Sequence, residues 1–145
     1  MSLLYEHHSD LPATAWIPLE GLTEQWGRFA AEAANLPALH ATGAIFSALA
    51  RETEAREYHT TAWHSTHSVD LTDLESALEE LNKAREHWTD AMIALELLLN
   101  DKHVDEAVRD EARITVAQVM EQRLRVTSLI QEVEREQFAA YHKDS

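Results

Sequence analysis

Apolar residues recur three or four positions apart along the second half of the chain. The first series follows Asp70 and comprises Leu74, Leu78, Leu81, Trp88, Met92, Leu95 and Leu99. The second follows Asp105 and comprises Val108, Ala112, Val116, Val119, Val126, Ile130 and Val133. An arginine interrupts each series once, Arg85 in the first and Arg123 in the second. This spacing predicts two long amphipathic helices that pack along their apolar faces.

A third long helix is predicted upstream, where another stripe begins with Leu39, Thr42, Phe46 and Leu49. A short helix over residues 21–35 precedes it. Polar links at 67–70 and 100–105 are short enough to make consecutive helices antiparallel neighbours. The pattern therefore predicts one all-α domain over 1–145, an elongated antiparallel bundle of three long helices (36–145) plus one short N-terminal helix.

The distribution of glycine and proline supports the helical prediction. All three glycines and all three prolines precede residue 44, so the rest of the chain contains neither of these turn-forming residues. Asp70 is a suitable N-cap for the helix that follows, and Val69 with Leu74 predicts a hydrophobic staple across it.

Residues 1–20 form an apolar arm that contains Leu11, Trp16 and Leu19. Burying such residues is favourable, and two arrangements are open. The arm is either a strap that covers its own bundle or a segment whose Trp16 docks on another subunit or a partner. Deleting residues 1–18 separates them, because the first predicts lost stability and the second predicts lost association.

The last helix carries apolar residues outside its main series, at Met120, Leu124 and Phe138 on one side and Leu129 on the other. They widen its apolar arc to roughly 200°, about twice the stripe that a surface helix needs. Either the N-terminal segments cover the excess, or it is an interface, most simply that of a two-fold homodimer.

The chain is strongly acidic, with a formal net charge of −14. Four acidic residues share one face of the helix after Asp70, roughly opposite the leucine series: Glu75, Glu79, Glu86 and Asp90. The row is interpreted either as a solvated face or as a surface for a basic protein partner, including a DNA mimic whose carboxylates stand in for phosphates. The same charge argues against direct binding to nucleic acid or to an anionic membrane.

Nine histidines and no cysteine raise the hypothesis of a metal site without thiolate ligands. No histidine has a glutamate three residues before it, as ferritin-like di-iron bundles require. The remaining candidate is a zinc site at one end of the bundle, where His59, His64 and His67 are expected to meet Asp70, Asp73, Glu136 and His142. The candidate ligands are His64, His67, Asp70 and His142. The alternative is that these are solvated residues at a polar end. No cofactor is predicted.

Arg135 and His142 fit the Arg-x4–6-His spacing that HEPN-type ribonucleases, also small helical proteins, carry late in the chain. About two such pairs are expected by chance in a chain of this composition. Glu136 follows the arginine, where that family usually has Asn or Asp. A HEPN-like ribonuclease is therefore the alternative function with catalysis, and otherwise no enzyme is predicted.

The two seam arginines predict structural roles. If the hairpin turns near residues 102–103, Arg85 lies opposite Glu121, and a charge-assisted bond between them would fix the register of the two helices. The alternative is that Arg85 and Arg123 extend their charged heads to water over an apolar stem.

Together these patterns predict a non-catalytic acidic helical protein that acts through protein–protein contact, as an assembly or regulatory factor. The first residues lack the basic start of a signal peptide, and no apolar run is long enough to cross a bilayer. A cytoplasmic location is therefore expected.

Overall fold

The computed structural model describes residues 9, 11, 13–16, 26, 36–63 and 69–143. These residues form three long helices, α1 (Leu36–Ala62), α2 (Leu71–Leu99) and α3 (Glu106–Lys143), and a turn of 3-10 helix at Ala13–Trp16. No strand occurs in the described ranges. The predicted all-α class and the three long helices are confirmed. Of the predicted short helix over 21–35, Trp26 is helical and buried, and the other positions lie outside the described residues.

Polar side chains set the ends of α2. The Asp70 carboxylate accepts hydrogen bonds from the backbone N–H groups of Thr72 (2.9 Å) and Asp73 (3.2 Å), so the predicted N-cap is confirmed. At the other end, the Asn100 side-chain amide donates to the Glu96 carbonyl oxygen at 3.0 Å. Both contacts satisfy backbone groups that a helix end leaves unpaired.

Consecutive helices run antiparallel. The backbone N–H of Asp70 donates to the Ala62 carbonyl oxygen at 3.1 Å, which joins the end of α1 to the start of α2. The link over 100–105 returns the chain from α2 to α3. At 1.5 Å per residue the helices are about 40, 44 and 57 Å long.

The core between α2 and α3 is built from the predicted series. The alternate members of the α2 series that are fully buried are Leu74, Leu81, Trp88 and Leu95. The most deeply buried members of the α3 series are Ala112, Val119, Val126 and Val133. The predicted facing of these two helices is therefore confirmed.

The stripe predicted for α1 is wrong at Leu39 and Phe46, whereas Leu49 packs against the core. Leu39 and Phe46 are exposed, while Thr42 and Leu49 are half-buried. The buried face of α1 consists mostly of small side chains, Ala38, Ala41, Ala44, Ala48, Ala55 and Ala62, with Ile45, Glu52 and His59. Small residues on α1 leave room for the large Leu and Trp side chains of α2, because a close-packed interior needs complementary volumes. The larger apolar residues of α1 are left on the outside.

The described part of the N-terminal arm lies on the chain's own bundle. Trp16 is 7% exposed and belongs to the core, and Leu11 and Ala15 pack against it. Ser9 donates to Glu136 of α3. This is the arrangement of a strap, whereas an arm reserved for a partner would leave Trp16 accessible.

Within the described ranges, no helix combines the length and the apolar content that crossing a membrane requires.

Candidate functional site

The outward face of α2 carries the predicted acidic row. Glu75, Glu79, Glu86 and Asp90 are all exposed. Lys83 Nζ lies 3.6 Å from a carboxylate oxygen of Glu79 and is shared with Glu80. The row is therefore a line of accessible negative charge about 22 Å long, with one lysine within it.

The same row continues as apolar residues toward the end of α2. Ile93 and Leu97 follow Asp90 at spacings of three and four, and they are 52% and 59% exposed. Positions so spaced share one helix face. Along this line the outward face of α2 is thus acidic over residues 75–90 and apolar at Ile93 and Leu97, with exposed Glu96 between them in sequence. Sequence reasoning missed Ile93 and Leu97, although the helical spacing past Asp90 was the signal for them.

A groove lies between α1 and α2 beside these apolar residues; we call it the α1–α2 groove. Two adjoining concavities of about 440 and 480 Å³ form it. The α1 side is lined by Leu36, Pro37, Leu39, His40, Gly43, Ala44 and Ser47, and the α2 side by His87, Asp90, Ile93, Ala94 and Leu97. Asp90 belongs to both the groove and the acidic row, so the two features form one continuous surface.

The predicted apolar excess of α3 is accessible. Met120, Leu124 and Phe138 are exposed, while Leu129, on the other side of the helix, is buried. The Phe138 ring lies 4.1 Å from the ring of His142, centroid to centroid. About half or more of each of these three side chains is accessible.

A buried carboxylate joins the three helices. Glu52 of α1 accepts hydrogen bonds from Trp88 Nε1 of α2 at 2.8 Å and from Gln122 Nε2 of α3 at 2.9 Å. Burial raises the pKa of Glu52 to about 7, although the two donors and the charge of Arg125 favour the carboxylate. The sequence predicted the burial of Trp88 but not that of Glu52 or Gln122.

A second polar cluster anchors the N-terminal arm. His59 Nε2 lies 2.8 Å from Glu136 Oε1, and the Ser9 hydroxyl donates to Glu136 Oε2 at 2.6 Å. The Trp16 ring lies 5.3 Å from the buried ring of His59, centroid to centroid. Glu136 therefore links the arm to α1 and α3.

The predicted metal ligands are not brought together in the described residues. The Asp70 carboxylate is occupied as the N-cap of α2, and His142 lies against Phe138. His64 and His67 lie outside the described residues. Among the residues that the structure covers, no group of three or more His, Asp or Glu is placed to hold a metal ion.

Of the two alternatives for Arg85, the bond to Glu121 is not formed. Arg85 Nη2 donates to Asn82 Oδ1 on its own helix at 3.0 Å, and Glu121 is exposed. Arg123 Nε instead donates to Thr89 Oγ1 at 2.9 Å. Residues 89 and 123 are equidistant from position 106, so this contact is offset from a hairpin centred at 102–103.

Arg135 and His142, the pair with HEPN-like spacing, lie on the exposed side of α3. Arg135 Nη1 donates to Glu132 Oε1 at 2.6 Å, one turn earlier on the same helix. Comparison of the chain with protein-family models, with curated proteins and with solved structures finds no match. The spacing of Arg135 and His142 remains the feature on which the HEPN-like alternative depends.

Proposed function

We propose that this protein is a non-catalytic binding protein that holds a basic protein partner against the outward face of α2. The observation that carries the proposal is the row of four exposed carboxylates, Glu75, Glu79, Glu86 and Asp90, which has one lysine within it. A partner with lysine or arginine side chains at matching positions would neutralise this row.

Ion pairs between the acidic row and a basic partner would contribute more to specificity and fast association than to affinity. An exposed ion pair contributes about 0.2–1 kcal/mol, and screening limits each carboxylate to roughly 8 Å at physiological salt. Complementary charge mainly steers encounter and selects partners. The like-charged pairs Glu75–Glu79 and Glu86–Asp90 each cost the free helix a few tenths of a kcal/mol, which a basic partner relieves.

The row suits a basic protein segment better than it suits DNA mimicry. Duplex DNA carries one charge per ~1.7 Å of axis, so a duplex as long as the row carries about 13 charges. The α2 row offers four carboxylates and then gives way to Ile93 and Leu97. A cleft built for nucleic acid would meet too little charge here, whereas a segment with both basic and apolar side chains would match the whole face.

The test compares two variants with the same change in net charge. One carries E75Q, E79Q, E86Q and D90N on the row, and the control carries E54Q, E57Q, E121Q and E134Q at exposed acids elsewhere on α1 and α3. The probe is a fluorescent lysine-rich helical peptide, and its affinity is measured by anisotropy over a range of sodium chloride concentrations.

We expect the wild type and the control variant to bind the peptide with an affinity that falls as salt rises. The row variant should bind at least about tenfold more weakly, since it loses several ion pairs at once. Equal affinity of the row and control variants would overturn the proposal. Circular dichroism and urea unfolding confirm that both variants remain folded.

A further inference from the structure

The α1–α2 groove begins where the acidic row of α2 ends. We infer that the groove binds the apolar half of the same basic partner, and that this partner is an amphipathic helix with one apolar half and one basic half. The inference rests on the proposed function and extends it, because it names the shape and the residue pattern of the partner segment.

The dimensions of the groove fit a helix of about three turns. Along α1 it extends from Leu36 to Ser47, and along α2 from His87 to Leu97. Both distances are about 15–16 Å, the rise of three helical turns. An apolar helix face of this length presents side chains at positions i, i+3, i+4 and i+7, as in other helix-in-groove complexes.

The groove has small residues where a partner backbone must come close and larger apolar residues beside them. Gly43, Ala44 and Ala94 contribute little side-chain volume. Leu36 is 75% exposed, and Ile93 and Leu97 are also largely accessible. Burial of the accessible parts of these side chains is favourable and would supply affinity that the acidic row alone does not.

Charge selects a basic helix as the occupant over a second copy of the chain. A helix lying along α2 meets apolar residues at one end, then Asp90, and then Glu86 and Glu79. Its second half must therefore carry lysine or arginine. A second copy would bring another chain of net charge −14 against this row, and the two would repel each other.

Gly43 allows the groove to be filled without disturbing the fold. It lies within α1, and no atom beyond its own helical turn lies within 4 Å of the position that a Cβ would occupy. Replacing a helical glycine also favours the helix. Gly43→Leu should therefore raise the stability of the protein while it blocks the groove. Ala117→Leu, at an exposed position on α3, is the matched control.

The probes are synthetic 22-residue helical peptides. Two carry leucine at i, i+3, i+4 and i+7 over one half and lysine on the same face over the other, with the basic half at either end. A third has the same composition with the leucines moved off that face, and a fourth carries lysine alone. Affinity is measured by anisotropy with the wild type, Gly43→Leu, Ala117→Leu and the row variant.

We expect at least one of the two amphipathic peptides to bind the wild type and Ala117→Leu at least about tenfold more tightly than the third and fourth peptides do. Gly43→Leu should lose that tenfold preference and keep the salt-dependent binding of the lysine peptide. If Gly43→Leu keeps the tenfold preference for the amphipathic peptide, the inference about the groove is overturned, whereas the proposed role of the acidic row is unaffected. If the row variant binds the lysine peptide as tightly as the wild type does, the proposed function is overturned instead.

Sedimentation of the unliganded protein tests the other occupant. We expect no association that depends on Gly43. A dimer that forms in the wild type and in Ala117→Leu, and that Gly43→Leu abolishes, would show that a second copy fills the groove and would overturn the inference.

Discussion

Trp88 Nε1 donates a 2.8 Å hydrogen bond to Glu52, a carboxylate that is 3% exposed. The second donor, Gln122 Nε2, is also neutral. Hydrogen bonds from neutral groups stabilise the anion less than a contacting cation would, so burial prevails and the pKa rises. Because the donors come from α2 and α3, a slip of either helix would leave a buried carboxylate without them, at a cost of several kcal/mol.

Replacing Glu52 by Gln should change how stability depends on pH. Folding raises the pKa of Glu52 from 4.5 to about 7, so the native state holds its proton more tightly than the unfolded chain does. Glu52 therefore destabilises the fold increasingly as the pH rises from 4.5 to 7, by up to about 3 kcal/mol. We expect E52Q to match the wild type near pH 4.5 and to be more stable at pH 8, measured by urea unfolding.

The matched control for this experiment is E54Q, which removes an exposed carboxylate two residues away on the same helix. Its stability difference from the wild type should stay within about 0.5 kcal/mol at every pH. If the difference in the free energy of unfolding between E52Q and the wild type does not grow between pH 4.5 and 8, Glu52 titrates as it does in water.

Replacing Trp88 by Phe should destabilise the protein more at high pH than at low pH. The variant keeps an aromatic ring in the core but removes the N–H that Glu52 accepts, and an unsatisfied buried acceptor costs about 1–3 kcal/mol. The carboxylate anion loses more stabilisation than the neutral acid when this hydrogen bond is removed, so the pKa of Glu52 should rise further. Urea unfolding at pH 5 and pH 8 measures both effects.

Trp63→Phe is the control for the loss of an indole N–H. Trp63 Nε1 makes no hydrogen bond with the described part of the chain, so its removal leaves no partner unsatisfied. The variant keeps an aromatic ring beside His59, whose ring centroid lies 6.4 Å from that of Trp63, so we expect its effect to vary with pH less than that of Trp88→Phe. A Trp88→Phe effect that varies with pH no more than that of Trp63→Phe would contradict the role given to the Trp88–Glu52 bond.

Truncating Trp16 should test whether the N-terminal arm is a strap. Trp16 is part of the core and lies beside the His59 ring, so Trp16→Ala should lower the free energy of unfolding by about 3 kcal/mol. Phe138→Ala removes an exposed aromatic ring and should change it by less than about 0.5 kcal/mol. Deletion of residues 1–18 should then cost stability as well. If the deleted chain unfolds like the wild type and loses only association, the arm serves a partner.

The sequence predicted α2 and α3 well and failed on the face of α1, for a physical reason. In α2 and α3 the largest apolar residues fill the core, so the hydrophobic period marks the buried face. In α1 most core positions are alanines, which accommodate large residues of α2. The prediction assigned Leu39 and Phe46 to the buried face because they are large and apolar, but they are exposed. A search for small residues would have found the buried row.

The buried alanines of α1 also indicate which polar residues of that helix are buried. The helical spacing of the buried alanines of α1 places Glu52 and His59 in phase with them. The partners of these two residues, Trp88, Gln122 and Glu136, depend on the register between helices. The register of each pair depends on the links that join the helices, which periodicity along one helix does not determine. The acidic row was predictable because it needs only the geometry of α2.

The two seam arginines should behave differently when each is replaced by Met. Arg85 contacts Asn82 on its own helix, so Arg85→Met should leave stability unchanged within about 0.5 kcal/mol or raise it. Arg123 donates across the α2–α3 interface to Thr89, and Arg123→Met should cost about 1 kcal/mol. A double-mutant cycle with Thr89→Val isolates that bond, because its coupling energy appears only if the two side chains interact. The same cycle between Arg85 and Glu121 should give no coupling energy. A coupling energy there would indicate a hairpin centred at 102–103 and would contradict the contact between Arg123 and Thr89.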